Sequence, residues 1–358
     1  MIIRSKAPLR IGLAGGGTDL ESYSKQFGGA VVNATIGMYA YCTIIPTNDN
    51  KIKINAQDNK NNLKTASVPR LDTVGEKLIL HKGVYNRIVK DFNNGKPLSF
   101  TMSTSNDAPV GSGLGTSSTM VVAILEAFNC WLNLNLTNEQ KAWLAYDIER
   151  NDLKLAGGKQ DQYAAVYGGI NYMQFFTDGS TQVSKIAIDK ARINELENSL
   201  VLYYSGHSRS SAKMQLALTK NIITSQIKQT NEGASSALVA MGNIKNNAEI
   251  MKACIQNGDA DGIATLLRKG WEDKKNTSDI VSNQYLEKTI DYALLHGASA
   301  VKVSGAGGGG FLLLYCNPIN REKLMRYMSR RRGKVLPVTL TDSGAESWVI
   351  TGDFKWKL

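Results

Sequence analysis

The segment PVGSGLGTSS, at positions 109–118, constrains the fold of this chain more than any other stretch. It follows a predicted strand over residues 97–105, in which apolar and polar residues alternate, and it leads into a predicted helix over residues 116–132. The free N–H groups at a helix N-terminus, together with the helix dipole, attract anions. The order of strand, glycine-rich loop and helix therefore predicts a phosphate-binding loop.

The residue types within this loop suit phosphate. Its alternating glycines let backbone N–H groups point inward around phosphate oxygens. The hydroxyls of Thr116, Ser117 and Ser118 can cap the helix, bind phosphate or ligate Mg²⁺. The loop is not a Walker A motif, since the lysine of GxxxxGK[ST] is absent. The structural alternative is a glycine-serine loop that ends in an N-cap serine.

Two further glycine-rich segments stand near the chain ends. LRIGLAGGGTDL, at residues 9–20, leaves three interpretations open: a nucleotide site, a sugar site or a tight turn. SGAGGGGF, at residues 304–311, contains a GxGxxG match, but an apolar strand follows it where a dinucleotide site requires a helix. This second segment is expected to join two strands, and a flexible hairpin is the structural alternative.

Two carboxylates are candidates for chemistry. Asp161 lies in AGGKQDQYAAVYGG, in the first turn of a predicted short helix, where it can act as a base or orient a substrate hydroxyl. An ordinary charge preference at a helix N-terminus is the structural alternative. Glu149 lies near the end of a predicted helix over residues 138–150, where negative charge is unfavourable unless a cation compensates it. A carboxylate with a serine hydroxyl suits Mg²⁺.

The chain alternates predicted strands and helices, which favours an α+β class with a helix layer on a largely antiparallel sheet. A capping box at Thr137 and Gln140 begins the helix over residues 138–150. We predict two domains, 1–182 and 183–358. In the second half, helices are expected over 209–229, 233–256, 260–275, 283–296 and 320–331, and strands over 299–304, 311–316 and 345–350.

Composition narrows the class of protein. No apolar run approaches the length of a membrane span, no signal-peptide core is visible, and four scattered cysteines indicate a reducing compartment, so a cytoplasmic location is expected. The net charge of +11 fits either a solvated basic surface or the attraction of phosphorylated substrates. The dense basic cluster at 330–334 contains no aromatic residue, which disfavours nucleic acid.

Taken in order, KAPLRIGLAGGGTD, PVGSGLGTSS and KVSGAGGGGF resemble the three motifs of the GHMP kinases over essentially the whole chain. Within that superfamily, AGGGTDL and GGKQDQYAAVYGGIN are most similar to bacterial sugar 1-kinases that act on D-glycero-D-manno-heptose 7-phosphate. Fucokinases are close relatives. Galactokinases carry an acidic-His-Thr-Asp form of the first motif, where this chain has Gly16-Gly17-Thr18-Asp19.

The resemblance implies an N-terminal domain like the second domain of a ribosomal small-subunit protein, a ferredoxin-like C-terminal domain and an active site between them. It implies ATP- and Mg²⁺-dependent phosphorylation of the anomeric hydroxyl of heptose 7-phosphate, giving the 1,7-bisphosphate for GDP-heptose and surface polysaccharide synthesis. The expected partner is a small-molecule sugar phosphate, and no binding to nucleic acid or membrane is expected. The expected oligomeric state is a monomer or a homodimer. The alternatives are a kinase of another sugar such as L-fucose and a basic nucleic-acid-binding protein.

The resemblance also implies roles for residues. Asp161 is the expected catalytic aspartate with Lys6 as the basic residue beside it, and Ser117 and Glu149 are the expected metal ligands. The residues expected to bind ATP are Pro109, Gly111, Ser112, Gly113, Leu114, Gly115, Thr116, Ser117 and Ser118. The residues expected to bind substrate are Arg10, Gly16, Gly17, Thr18, Asp19, Lys159, Arg209, Gly307 and Gly308. On charge alone, the candidates for binding the distal phosphate of the sugar are Lys159, Arg209 and the basic run 330–334.

Overall fold

A computed structural model describes residues 1–58, 60–75, 77–206, 211–232 and 236–351. The strands are β1 (Ile2–Ala14), β2 (Gly29–Pro46), β3 (Lys51–Ala56), β4 (Asn61–Ala66), β5 (Phe100–Asn106), β6 (Ile170–Phe175), β7 (Thr181–Lys185), β8 (Leu200–Tyr204), β9 (Ala300–Val303), β10 (Phe311–Tyr315), β11 (Lys334–Pro337) and β12 (Glu346–Ile350). The helices are α1 (Glu21–Phe27), α2 (Ile79–Phe92), α3 (Thr116–Trp131), α4 (Asn138–Asp147), α5 (Gln160–Tyr167), α6 (Lys190–Ser199), α7 (Ser211–Glu232), α8 (Ser236–Asn257), α9 (Ala260–Lys275), α10 (Gln284–Leu295) and α11 (Pro318–Met328).

The first sheet has eight strands, and its main order is β12-β1-β2-β5-β3-β4. The long strand β2 pairs through Gly29–Ala34 with β6, which pairs in turn with β7, and through Ala40–Pro46 with β5. All strand pairs of this sheet are antiparallel except β3 with β5, which are parallel. Beside α3 and α5, this sheet forms a buried core that includes Phe100, Phe128 and Val166.

The second sheet is antiparallel, with the order β11-β8-β10-β9. In chain order its strands are therefore arranged 4-1-3-2, the arrangement of a ferredoxin-like domain. Successive residues of β10 pack on opposite sides: Leu313 faces the core shared with the first sheet, whereas Leu312 packs against α10 and α11. The expected α+β class and two-part fold are confirmed.

An irregularity in the pairing of β1 with β2 coincides with a change in which residues of β1 face the helices. Before the shift, Ile3 and Ala7 pack in the core with α3. After the shift, which lies between Pro8 and Arg10, Leu9 and Ile11 pack in the core shared with the second sheet and α9. Two positions along β1, from Pro8 to Arg10, stand there against four along β2, from Tyr39 to Thr35, and the odd-numbered residues of β1 exchange cores at this bulge.

Local sequence signals predicted most helices of the second half within a few residues. The capping box at Thr137 and Gln140 is confirmed, with Thr137 accepting from the Gln140 N–H at 3.2 Å. The predicted helix over 138–150 is α4 followed by a π-helical turn at Ile148–Asp152. No helix described in the structure is long and apolar enough to cross a membrane.

The C-terminal strand returns to the first sheet. The sequence predicts this strand as part of the second half, but β12 pairs with β1 of the first sheet. The domain boundary near residue 182 lies within β7 and stays a prediction. Buried Glu126 on α3 holds this return in place: it accepts from the Ser347 hydroxyl at 2.8 Å and from Lys141 of α4 at 2.9 Å. One carboxylate thus joins α3, α4 and β12.

We expect Glu126→Ala to lower the free energy of unfolding by about 3–5 kcal/mol, because it leaves the buried Lys141 ammonium without its partner. Urea denaturation followed by circular dichroism measures this loss. The matched control is the double variant Glu126→Leu with Lys141→Met, which removes both charges and should lose clearly less. An equal loss in the two variants would contradict the ion-pair explanation.

Candidate active site

A cleft of about 420 Å³ lies where the three glycine-rich segments meet. The first segment contributes Gly17 and Asp19, and the third contributes Gly305 and Ala306. The middle segment contributes Val110, Gly111, Gly113, Gly115, Thr116, Ser117 and Ser118. Both halves of the chain therefore supply walls of a single concave site.

The middle segment has the geometry of an anion-binding loop. Gly113 and Gly115 adopt φ values of +86° and +80°, which other residues rarely adopt. Helix α3 begins at Thr116, its N-cap is Gly115, and no side chain caps it, so the N-cap serine of the structural alternative is wrong. The first N–H groups of α3 thus have no intrahelical partner and border the cleft.

Three residues of this loop lie away from the cleft wall. Pro109 is exposed, whereas Ser112 and Leu114 are fully buried beneath the loop. The Ser112 carbonyl accepts from the Phe311 N–H at 2.9 Å. Ser112 and Leu114 therefore anchor the loop from below.

The third glycine segment packs directly on the middle one. A Cβ on Gly305 would lie 2.7 Å from the Gly113 Cα, which is too close for two atoms that are not bonded. The Ser304 hydroxyl donates to the Gly113 carbonyl at 3.0 Å. Gly307 and Gly308 instead lie against Val281, whose carbonyl accepts from the Gly308 N–H at 2.6 Å, and they do not border the cleft.

Asp161, at the start of α5, is held by Arg10. The guanidinium Nε and Nη2 atoms lie 2.7 and 2.6 Å from Asp161 Oδ1, and Nη1 donates to the Gly113 carbonyl at 2.7 Å. A Cβ on Gly115 would lie 3.3 Å from Asp161 Oδ2. The predicted catalytic carboxylate thus lies against the phosphate loop, with its second oxygen on the loop side.

The expectation that Lys6 lies beside Asp161 is wrong. The Lys6 ammonium pairs with Glu346 at 2.7 Å and lies 4.7 Å from the Tyr39 ring centre, and the bond to Glu346 raises its pKa. Lys6 does not line the cleft, whereas Arg10 does. Past the irregularity in the pairing of β1 with β2, it is Arg10 and not Lys6 that reaches α5.

Asp19 also lines the cleft. It is almost fully buried and accepts from the N–H groups of Gly17 at 3.0 Å and Gln160 at 3.1 Å, and from the Gln160 side chain at 3.2 Å. Burial raises its pKa. A Cβ on Gly158 would overlap Asp19 Oδ2, so this carboxylate needs a bare backbone beside it.

Two other residues of the first segment have different surroundings. The Thr18 hydroxyl bonds backbone carbonyls, with Gly15 at 2.8 Å and Ala30 at 2.9 Å, and therefore shapes the loop instead of facing the cleft. Gly16 lies beside the Gln160 side chain, 3.8 Å from where its Cβ would be. Thr18 is thus a structural residue in a segment that otherwise borders the site.

Glu149 lies in the π-helical turn, and it is buried and lines the cleft. The Gln162 side chain donates to it and also to Ser118 Oγ, and the Ser118 hydroxyl bonds Glu149 as well. Burial raises the pKa of Glu149, a cost that a bound cation would offset. Ser118 thus contacts this carboxylate, and half-buried Ser117 borders the cleft next to it.

These groups fit a metal that takes few protein ligands. Among the described residues, no cluster of three or more His, Cys, Asp or Glu side chains could hold a metal. A carboxylate and a serine hydroxyl beside an uncapped helix N-terminus match Mg²⁺ that takes its remaining oxygens from phosphates and water. The site therefore has room for the expected pair of ligands and a polyphosphate.

The remaining predicted contacts are not in the cleft or cannot be placed. The Lys159 ammonium donates to the Gly179 carbonyl at 2.6 Å and lies over the Tyr146 ring, away from the cleft. Arg209 lies outside the described residues. Sequence reasoning missed the contributions of Gln160 and Gln162, although both flank Asp161 in the motif, and it missed Lys274, for which no local pattern stands out.

Comparison with known proteins decides the family. Models of the GHMP kinases N terminal domain and the GHMP kinases C terminal region match residues 80–169 and 250–334. The D-glycero-alpha-D-manno-heptose 7-phosphate kinase of Campylobacter jejuni is 41% identical over 348 residues, which cover 97% of this chain and 99% of that protein. The chain belongs to the GHMP kinases. It is therefore a sugar kinase, a phosphotransferase with an alcohol group as acceptor.

Two further members of the family align with the chain. The crystal structure of a D-glycero-D-manno-heptose 1-phosphate kinase from Bacteroides thetaiotaomicron has 41% identity and a TM-score of 0.82, and the match covers 98% of this chain and 100% of that one. The bifunctional fucokinase/GDP-fucose pyrophosphorylase of Arabidopsis thaliana is 26% identical over 333 residues, which cover 89% of this chain and 30% of that protein. The predicted resemblance to GHMP kinases is confirmed.

We expect Arg10→Ala to lower kcat by about 100-fold or more, because the guanidinium fixes Asp161 against the loop. Lys6→Ala, the matched control on the same strand, should change kcat by less than about threefold. The kcat of both variants is measured as the steady-state rate of ATP consumption with a sugar that the native enzyme phosphorylates. A larger loss in Lys6→Ala than in Arg10→Ala would contradict this placement of the basic residue.

Proposed function

We propose that this kinase uses ATP and Mg²⁺ to phosphorylate the anomeric hydroxyl of D-glycero-D-manno-heptose 7-phosphate, giving the 1,7-bisphosphate. The observation that carries the proposal is the position of Asp161. Its carboxylate is fixed by Arg10, lies against Gly115 of the phosphate loop, and shares one cleft with Asp19. A hydroxyl placed at Asp161 would thus lie next to the phosphate to be transferred.

Phosphoryl transfer needs alignment and charge neutralisation more than covalent chemistry. In the proposed reaction, Asp161 accepts the proton of the acceptor hydroxyl or orients it through Oδ2. Arg10 keeps Asp161 in place from Oδ1 and adds positive charge beside the reacting groups. The unpaired N–H groups at the start of α3 hold phosphate oxygens.

Ser117 or Ser118, together with Glu149, would hold Mg²⁺ at the other side of these phosphates. Bound there, the ion would neutralise the charge of the phosphates and orient them. The Gln162 amide supports this role, because it donates to both Ser118 and Glu149 and thereby holds the two candidate ligands together. Asp19 is held by the N–H groups of Gly17 and Gln160, and it would accept hydrogen bonds from sugar hydroxyls.

The choice of sugar rests on the relatives. The Campylobacter protein is named for heptose 7-phosphate over nearly the same length, whereas the fucokinase match has lower identity. A product with phosphates on carbons 1 and 7 would supply nucleotide-activated heptose (GDP-heptose) for surface polysaccharide. The basic net charge of +11 suits a substrate and products that are all anions.

We expect Asp161→Asn to lower kcat by about 100-fold or more while ATP binding, measured by calorimetry, changes by less than about threefold. The amide keeps the shape but accepts no proton. The matched control, Asp178→Asn, alters an exposed carboxylate that bonds Ser180 and should leave kcat near that of the native enzyme. Full activity of Asp161→Asn would mean that this carboxylate only favours the start of α5.

A substrate comparison tests the sugar. ATP consumption with heptose 7-phosphate should exceed that with L-fucose by about 100-fold or more in kcat/KM, because each buried polar contact made by only one sugar discriminates strongly. Analysis of the product by ³¹P NMR should show a new phosphate on the anomeric carbon. Equal or better turnover of L-fucose would overturn the heptose assignment.

A further inference from the structure

A small recess beside the cleft is lined by three cations. Arg10, Lys274 and Lys302 border it, and no aspartate or glutamate does. The recess shares Arg10, Lys274, Gln160 and Gly305 with the main cleft, so the two lie side by side. Positive charge is therefore concentrated in a recess next to the cleft.

Within the described part of the chain, the two lysines donate hydrogen bonds only to backbone oxygens. Lys274 of α9 donates to the Gly305 carbonyl at 2.7 Å, and Lys302 of β9 donates to the Leu13 carbonyl at 3.3 Å. An ammonium has three N–H donors, and a neutral carbonyl does not compensate its charge. Each lysine therefore keeps donors and positive charge for a further partner.

Burial makes both charges costly. It lowers the pKa of Lys274 to about 8 and that of Lys302 to about 7. Asp19 and Asp161 oppose the shift on Lys274, whereas Lys274 and Arg10 add to the shift on Lys302. A buried cation without a counter-ion is unfavourable, so an anion in the recess would stabilise this arrangement.

The position of the recess indicates which anion it takes. None of the residues 109–118 lines it, so the nucleotide phosphates at the start of α3 lie elsewhere. Its walls include the first glycine segment and Gln160, which also contact Asp19, together with residues of α8 and α9. Arg10 lines the recess and bonds Asp161, so one small substrate can reach both places.

We propose that Lys274 and Lys302, together with Arg10, form the subsite for a phosphate carried by the sugar substrate on the carbon far from the acceptor hydroxyl. This inference rests on the proposed function and specifies how a sugar phosphate is distinguished from the free sugar. It replaces Lys159, which does not line the cleft, as the distal phosphate ligand. The second half of the chain thus supplies both lysines of the subsite, and the first half supplies Arg10 together with the phosphoryl-transfer groups.

The test compares two substrates that differ in one group: D-glycero-D-manno-heptose 7-phosphate and the same heptose without phosphate. For Lys302→Met and Lys274→Met, kcat/KM for the sugar phosphate should fall by about 100-fold more than kcat/KM for the free heptose, because charge-assisted hydrogen bonds to phosphate are lost. Lys302→Arg should restore part of the difference, since it retains the charge. The matched control is Lys245→Met, which also removes a lysine-to-carbonyl bond, here to Phe27 at 2.6 Å, outside the recess.

Each other outcome overturns the inference. Equal loss on both sugars, or loss in Lys245→Met of the same size, means that these lysines only support the fold. A raised KM for ATP with an unchanged preference between the sugars means that they serve the nucleotide. If the native enzyme turns over neither heptose, the proposed function fails, and calorimetric binding of heptose 7-phosphate to native and Lys302→Met protein then decides the subsite separately.

The pH dependence gives a second readout. Lys302 faces Lys274 from α9 and Arg10 from β1, and Lys274 also faces Asp19 and Asp161. As pH rises from 7 to 9 the two lysines lose protons, while a phosphate monoester stays dianionic above about pH 6. We expect kcat/KM for the sugar phosphate to fall over this range relative to the free sugar, and Lys302→Arg to move the fall to higher pH. Parallel profiles for the two sugars would contradict the subsite.

Discussion

The arrangement of the site depends on one guanidinium. Arg10 bonds Asp161 Oδ1 with two nitrogens and the Gly113 carbonyl with a third, so it fixes the predicted base and the phosphate loop to each other. The third glycine segment reinforces this junction from the other half of the chain, because Gly305 packs on Gly113 with no space for a side chain. The alignment that phosphoryl transfer requires would then be provided by tightly packed backbone and by one guanidinium. The planar guanidinium loses little conformational freedom when it forms these hydrogen bonds.

Buried charge of both signs surrounds this junction. Burial raises the pKa of Asp19 and Glu149 and lowers that of Lys274 and Lys302, so the charged form of each group is costly within the protein. In the proposed reaction and subsite, ligands of complementary character would offset this cost: a cation at Glu149, hydroxyls at Asp19 and an anion at the lysines. The proposed substrate, with charge at both ends, fits this distribution of buried charge.

Sequence patterns predicted the elements that short-range rules control. The capping box at Thr137, the start of α3 at Thr116 and the helices from α8 to α10 follow from apolar periodicity and cap residues. They did not predict that β12 pairs with β1, since strand pairing joins residues more than 300 positions apart and leaves no local signal. Ser117 is the serine expected to bind the metal, but Ser118 borders the cleft as well, so either hydroxyl can take this role.

The sequence by itself determined the family, the phosphate loop and the candidate roles of Asp161, Asp19 and Glu149, because glycine spacing and adjacent carboxylates are local features. Only the tertiary structure decided which cation serves Asp161. At an irregularity in the pairing of β1 with β2, Arg10 turns toward α5 while Lys6 pairs with Glu346, and alternation along a strand cannot reveal where such an irregularity lies. Lys274 and Lys302 likewise reach the site only because α9 and β9 pack against β1, more than 250 residues away in the chain.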